Sequence, residues 1–179
     1  MGTSQHQKAQ SRAAIITAAS RLFRERGVEA VSVAQIMDAA GMTHGGFPRH
    51  FANKQELVNE ALASAADEQR VSNGTSSGDF ETFANAYLTR QHRDHPETGC
   101  VFAALGGEIS RAPAETRHVL SERIQRQVEA FGDDPDMQAA ALGRWSTLIG
   151  AMVLARLVEP EDLSDQIIAA ARKFVGLPD

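Results

Sequence analysis

Cysteine is almost missing from this chain of 179 residues: Cys100 stands alone. A disulfide framework within the chain is therefore excluded, and a reducing cytoplasm is the expected setting. No apolar run approaches the length of a membrane span. The first ten residues, MGTSQHQKAQ, lack the apolar core that a signal peptide needs. Strand-type alternation is missing too; apolar residues recur at helical spacing, punctuated by Gly, Pro and Asn or Asp. Catalytic signatures are equally scarce. No Ser/His/Asp set stands at motif spacing, and there is no phosphate-cradling glycine loop and no metal quartet, so no catalytic residue, cofactor or metal is assigned.

Positive charge is also short overall, with a net −5 that argues against a polyanion partner until the chain is divided. Residues 1–54 hold seven Lys/Arg against three acids, a net +4, and residues 55–179 are net −9. A basic head on an acidic body suggests that only the head meets polyanion. A chain with 42% apolar residues is long enough to bury a real core, so a small head on a larger helical body is expected.

Nine helices are expected. The first spans about 11–26, with Ile15, Ala18, Ala19, Leu22 and Phe23 on one stripe and Gly27 as a left-handed C-cap. On its other face Arg21 reads as solvated, and Arg24 and Arg26 are open to phosphate contact. Ser32 and Gln35 form a capping box for the second helix, which ends at Gly41. Thr43 caps a short third helix, His44-Gly45-Gly46-Phe47, and Asn53 with Glu56 starts the fourth, running to about Val71. SNGTSSG, residues 72–78, is a flexible loop by composition. Five further helices follow over about 79–93, 99–110, 113–131, 134–158 and 161–175. The last two carry broad apolar faces, more than one small body covers, and suggest a four-helix bundle across a two-fold axis.

Helix, glycine turn and short helix over Val31 to Leu57 is the plan of a helix-turn-helix, whose second helix enters the major groove. Thr43 offers a hydroxyl and a backbone N–H to a phosphate, and His44 reaches a base edge or a phosphate. Two consecutive glycines weaken a helix by roughly 1 kcal/mol each relative to alanine, which suggests that Gly45 and Gly46 serve a close approach to DNA. His50 and Lys54 follow as phosphate contacts.

The stretch resembles the DNA-binding head of TetR/AcrR-type transcriptional regulators. That family shows a short helix, Ala-Gly, a small polar pair, Gly, an aromatic, Tyr, any residue, His-Phe, two residues, Lys, two residues and Leu. Here the positions read Ala40-Gly41, Thr43-His44, Gly46, Phe47, Pro48, Arg49, His50-Phe51, Lys54 and Leu57. The likeness covers about a third of the chain; the other helices match the family in number, length and order. It implies an all-α fold: a three-helix helix-turn-helix DNA-binding domain over 1–54 and a helical effector-binding and dimerisation domain over 55–179. It implies a cytoplasmic regulator, a repressor, that binds a palindromic double-stranded operator as a homodimer through its two C-terminal helices. The two recognition helices then stand ~34–36 Å apart, and a small-molecule effector moves the fourth helix and releases DNA. Ser32, Thr43, His44, Gly45, Arg49, His50 and Lys54 are the DNA-binding candidates.

Pro48 departs from the family pattern, since the family's tyrosine there contacts phosphate. Proline has no N–H and disfavours a helical residue before it, so a recognition helix truncated or kinked near Phe47 is predicted, with weaker operator binding or with Arg49 supplying the lost contact.

In the body, Phe83, Tyr87, Cys100, Phe102, Leu105, Trp145, Leu148 and Met152 are the ligand-binding candidates, half of them expected to be plain core. Tyr87 and Trp145 carry polar tips that can orient a ligand. Cys100 opens the sixth helix, where a thiol tends to be reactive, so a thiol-based electrophile- or redox-sensing repressor is the alternative. His92 and His95 could activate it, and a cysteine-dependent helical enzyme built on the same residues is the remaining rival. That rival leaves the Val31 to Leu57 motif unexplained.

Overall fold

The computed structural model describes residues 2–72, 80–131 and 133–177, and all regular structure among them is helical. The loop expected at 72–78 falls almost wholly outside the described residues. Among the described residues, nine α-helices and two 3-10 segments follow one another: α1 (Gly2–Arg26), α2 (Val33–Ala39), a 3-10 segment at His44–Arg49, and α3 (Lys54–Ser72). The body adds α4 (Phe80–Tyr87), α5 (Arg90–Asp94), a 3-10 turn at Pro96–Thr98, α6 (Val101–Ile109), α7 (Ala114–Glu129), α8 (Pro135–Leu157) and α9 (Glu161–Phe174).

Helix ends follow the sequence signals. Gly27, at φ 84°, closes α1 through its N–H to Phe23 O at 2.8 Å. The Ser32 box is complete, with Gln35 N donating to Ser32 Oγ at 3.2 Å and Ser32 N donating to Gln35 Oε1 at 2.8 Å. Gly41, at φ 70°, closes α2; Met42 N reaches Met37 O at 2.8 Å and Gly41 N reaches Asp38 O at 2.9 Å. Those two bonds satisfy the last carbonyls of the helix, and the left-handed residue between them is where glycine escapes the Cβ penalty. Asn53 Oδ1 accepts Glu56 N at 2.9 Å to start α3, and Asp134 Oδ1 accepts two amides to start α8.

Three elements differ from expectation. α1 begins nine residues earlier than the apolar stripe suggests, because nothing between Gly2 and Ser11 breaks a helix. The helix expected over 79–93 is two, since Thr89 turns extended and caps α5 by accepting His92 N at 3.1 Å. The third helix is 3-10 throughout His44–Arg49; two glycines and an internal proline leave too few backbone donors and too little preference to hold α geometry.

Two cores organise the packing. The first joins Ile15, Ala19 and Phe23 of α1 to Ile36, Met37, Phe47, Phe51, Leu57 and Leu62, and continues into α6 and α7 through Val101, Leu105, Ile109 and Leu120. Fully buried side chains such as Ile15, Ile36 and Leu57 each contribute roughly 1.5–3 kcal/mol. The second core, from α4, α6, α8 and α9, centres on Phe83, Tyr87, Trp145, Leu148 and Met152.

Polar bonds fasten head to body. The Arg24 guanidinium, buried on α1, donates to Gly99 O at 3.0 Å and to Ser20 O and Oγ, and it pairs with Glu68 of α3. Burial lowers its pKa, with Glu68 opposing that shift. Arg24 is thus an internal brace, which removes it from the phosphate-contact candidates. Glu108 of α6 accepts the backbone N–H groups of Val28 and Glu29 at 3.0–3.1 Å. Lys54 donates to Val28 O at 2.8 Å from the other side.

Candidate nucleic-acid interface and body cavity

The recognition segment presents an unfilled polar edge. Thr43 has cap geometry, yet its hydroxyl makes no cap bond and the residue is exposed. That hydroxyl stays available to a partner outside the chain. His44, Gly45, Pro48 and Arg49 are exposed beside it. A Cβ built at Gly45 meets no atom within 4 Å, whereas one at Gly46 lies 3.6 Å from Met37 Cε. Gly46 therefore backs onto the core and Gly45 faces outward. Phe47 turns inward and stacks on Phe51 with centroids 5.6 Å apart. The segment is neither truncated nor broken at Phe47: it continues to Arg49, where His50 N bonds Phe47 O at 2.9 Å.

A basic cluster stands behind this edge. His50 is half-buried; burial first, then the charges of Lys8, Arg12 and Arg49, lower its pKa. Arg12 donates to His50 O at 3.3 Å, lies 4.5 Å over the Phe51 ring and pairs with Glu56 and Glu60. Arg49 has no carboxylate within salt-bridge distance among the described residues, so its charge faces outward unneutralised. Lys8 was not singled out in the sequence; its placement one helical turn before Arg12 was the available signal. Ser32 is exposed, but its hydroxyl is held by the capping box, and Lys54 is tied to Val28 O. Both keep spare hydrogen-bonding capacity, in a more fixed position than Thr43 or Arg49.

The body candidates separate into two groups. Phe83, Phe102 and Trp145 line a cavity between α3, α4, α6, α7 and α8. Phe102 and Trp145 meet edge to face at 5.2 Å. Tyr87, Cys100, Leu105, Leu148 and Met152 are core residues, none more than 2% exposed; they point into packed interior because α4, α6 and α8 close over them.

Around Cys100 the geometry is that of a packed joint. His92 Nε2 accepts the Cys100 backbone N–H at 2.8 Å, and His92 Nδ1–H donates to Tyr87 O at 2.8 Å. Both ring nitrogens are thereby occupied, and burial holds the imidazole neutral, its pKa lowered to about 4. His92 braces the cysteine's backbone and has no lone pair left for its thiol. His95 pairs instead with Glu97 at 3.2 Å. The thiol is buried beside the Tyr87 phenol, whose pKa burial pushes well up. The expected activation by His92 or His95 is therefore not built here. No group of three or more His, Cys, Asp or Glu side chains suited to a metal occurs among the described residues. No described helix is long and apolar enough to cross a membrane.

A capped helix, a glycine turn and an exposed second segment, backed by a basic cluster, define a helix-turn-helix head on an all-helical body. Residues 15–61 match the family profile described as bacterial regulatory proteins, tetR family. Over 55 residues the chain is 47% identical to the HTH-type transcriptional regulator TtgR of Pseudomonas putida, a match covering 31% of this chain and 26% of that protein. Over 56 residues it is 39% identical to the HTH-type transcriptional repressor KstR2 of Mycobacterium tuberculosis, covering 31% and 28%. The alignment thus spans only about a quarter of the length of these relatives. Across the whole fold, the crystal structure of a TetR transcriptional regulator from Chloroflexus aurantiacus superposes with a TM-score of 0.70 at 21% identity, covering 95% of this chain and 96% of that one. Residues 15–61 are thus similar to the DNA-binding segment of tetR-family regulatory proteins, and the chain as a whole shares the fold of such a regulator.

Proposed function

We propose that this protein is a cytoplasmic, ligand-responsive transcriptional repressor, with a DNA-binding head over 1–54 and an effector-binding and dimerisation body over 55–179. The observation that carries the proposal is the exposed Thr43–Arg49 edge, with a free hydroxyl at its start and an unneutralised arginine at its end. Thr43, His44 and Gly45 meet the major groove. Arg49, His50 and Lys8 hold phosphate, with Ser32 and Lys54 at the margin. Repression is the sense suggested by the name of KstR2.

Dimerisation through α8 and α9 is supported by their outer faces. Leu154 and Leu157 of α8 are 54% and 71% exposed, and Phe174 of α9 is 78% exposed. Leu157 points outward, continuing a line of Leu142, Ser146, Gly150 and Leu154 along one side of α8. Two such faces cover one another across a two-fold axis. A sensor built on Cys100 is the weaker alternative, because its thiol is fully enclosed.

Binding to the DNA upstream of the protein's own gene, measured from 50 to 200 mM salt, tests the proposal. Log affinity should fall linearly with log salt at about −0.9 per phosphate contacted. Arg49→Ala should weaken binding and flatten that slope by about one contact per head. Affinity indifferent to salt, or none at 50 mM, overturns it.

A further inference from the structure

Space for a ligand lies at the joint between head and body, not beside Trp145, where the cavity of about 20 Å³ has room for a single water. A cavity of about 290 Å³ opens between the turn at Val28 and Glu29, α3, the end of α6 and the start of α7. That is near the lower end of ligand sites, ~300–1,000 Å³. Its floor is apolar: Val28, Val58 and Ile109 are buried, and Ala112 and Pro113 extend it. Thr116 closes one side, its hydroxyl accepting Gln55 Nε2 at 2.6 Å. Glu29, Glu108 and Arg111 supply the charge on the rim.

That charge is unbalanced. Glu108 spends its oxygens on the N–H groups of Val28 and Glu29 at 3.0–3.1 Å, which carry no formal charge. Neither Glu29 nor Glu108 has a Lys or Arg within salt-bridge distance among the described residues. Lys54 is tied to Val28 O at 2.8 Å and is not one of the walls. Beyond Gln55 an adjoining cavity of about 270 Å³ adds Glu56, Glu60 and Glu115. Arg12 pairs with the first two, whereas Glu115 accepts Asn59 Nδ2, a neutral donor, at 3.2 Å. The end of α6 and the start of α7 both line the space, so their dipoles oppose and the side chains set the sign.

We propose that this cavity takes a compact organic cation, an ammonium carried on an apolar ring or short chain. The apolar part lies on Val58 and Ile109, and the ammonium stands between Glu29 and Glu108. An anion of the same shape meets those carboxylates and is disfavoured. A ligand there presses between α3 and the Glu108 contact that fastens head to body. Its effect on DNA rests on the proposal above that the body holds an effector; its binding does not, and is read without operator.

The intact, nitrogen-15-labelled protein is titrated at neutral pH with benzylamine, benzyl alcohol and benzoate, which share a ring and differ in charge. Saturable shifts of the Val28, Glu29 and Ala112 amide signals are expected for benzylamine in the ~mM range, with weaker binding of benzyl alcohol and the weakest of benzoate. The Trp145 indole signal, in the other core, should stay in place. Glu108→Gln keeps an acceptor for the Val28 N–H and removes the charge, and Glu29→Gln removes an exposed charge. Each should weaken benzylamine binding about threefold. The inference is overturned if benzylamine gives no saturable shift at those amides, if benzoate binds as tightly, or if both variants bind benzylamine as the parent does. Benzylamine that binds there without altering operator affinity upholds the site and its ligand class and removes the effector role. Operator release that follows occupancy of those amides upholds both.

Discussion

Gly45→Ala separates a glycine kept for folding from one kept for contact with DNA. The position is exposed, its φ is not positive, and a Cβ there meets nothing within 4 Å. Inside the protein the methyl group is free of strain. Alanine also has less backbone freedom to lose, which favours the folded state by roughly 0.5–1 kcal/mol. For a chain of this size that raises Tm by about 1–4 °C. On DNA the sign reverses. In the proposed complex the methyl group stands where the recognition backbone approaches the groove, and loss of a single base or phosphate contact costs about 1 kcal/mol per head or more. Two heads on one operator make at least ~30-fold weaker binding. Gly46→Ala is the internal control, because its Cβ touches Met37 Cε at an ordinary 3.6 Å and faces the core. Thermal melting and fluorescence anisotropy on the same preparations measure both effects. If Gly45→Ala binds operator within twofold of the parent, the close approach is refuted.

Pro48→Tyr restores a phenolic hydroxyl at the exposed turn and should tighten operator binding about fivefold per head, the value of one hydrogen bond near 1 kcal/mol; unchanged affinity in a filter-binding titration would sink the idea. Glu108→Ala strips the acceptor from Val28 N, which is half-buried, and from Glu29 N, which water can serve. About 2 kcal/mol and ~4–8 °C of Tm should be lost, and a melting curve within 1 °C or so of the parent contradicts the fastening role. His92 gives a pH signature. Its folded pKa of about 4 lies below the ordinary 6.5, so between those values the unfolded chain binds the proton and the folded one does not. Stability is therefore full above ~pH 6.5 and falls as pH drops toward 4, by up to about 3 kcal/mol. Urea midpoints at pH 7.5 and 5 should show the loss, and His92→Gln should flatten it.

Where sequence carried a local rule, it located structure well. Ser32 with Gln35, Gly27, Gly41, Asn53 and Asp134 each satisfied helix-end groups within a few residues of themselves, so their roles were visible without the fold. Thr89 shows the limit: the apolar stripe from Phe80 to Leu88 gives no hint that a cap follows it. Long-range polar pairing stayed hidden altogether. Arg24 is open to phosphate contact in the sequence, and only the arrival of Gly99 and Glu68 from distant elements makes it a buried brace. The same holds for Arg123 and Gln127 of α7, whose places on a cavity wall no local rule announces.

Gly99 has a consequence for how this lineage can change. A β-carbon there would sit 2.5 Å from His92 Cδ2, 2.8 Å from His92 Nε2 and 3.2 Å from Arg156 Nη2. The same residue's carbonyl holds Arg24, and Arg156 donates to His92 O at 2.5 Å and to Arg93 O at 3.0 Å. Positions 24, 92, 99 and 156 therefore form one heritable unit drawn from four separate segments. Descendants should keep all four or replace them in concert, and a lone substitution at 99 should survive only beside a smaller residue at 92.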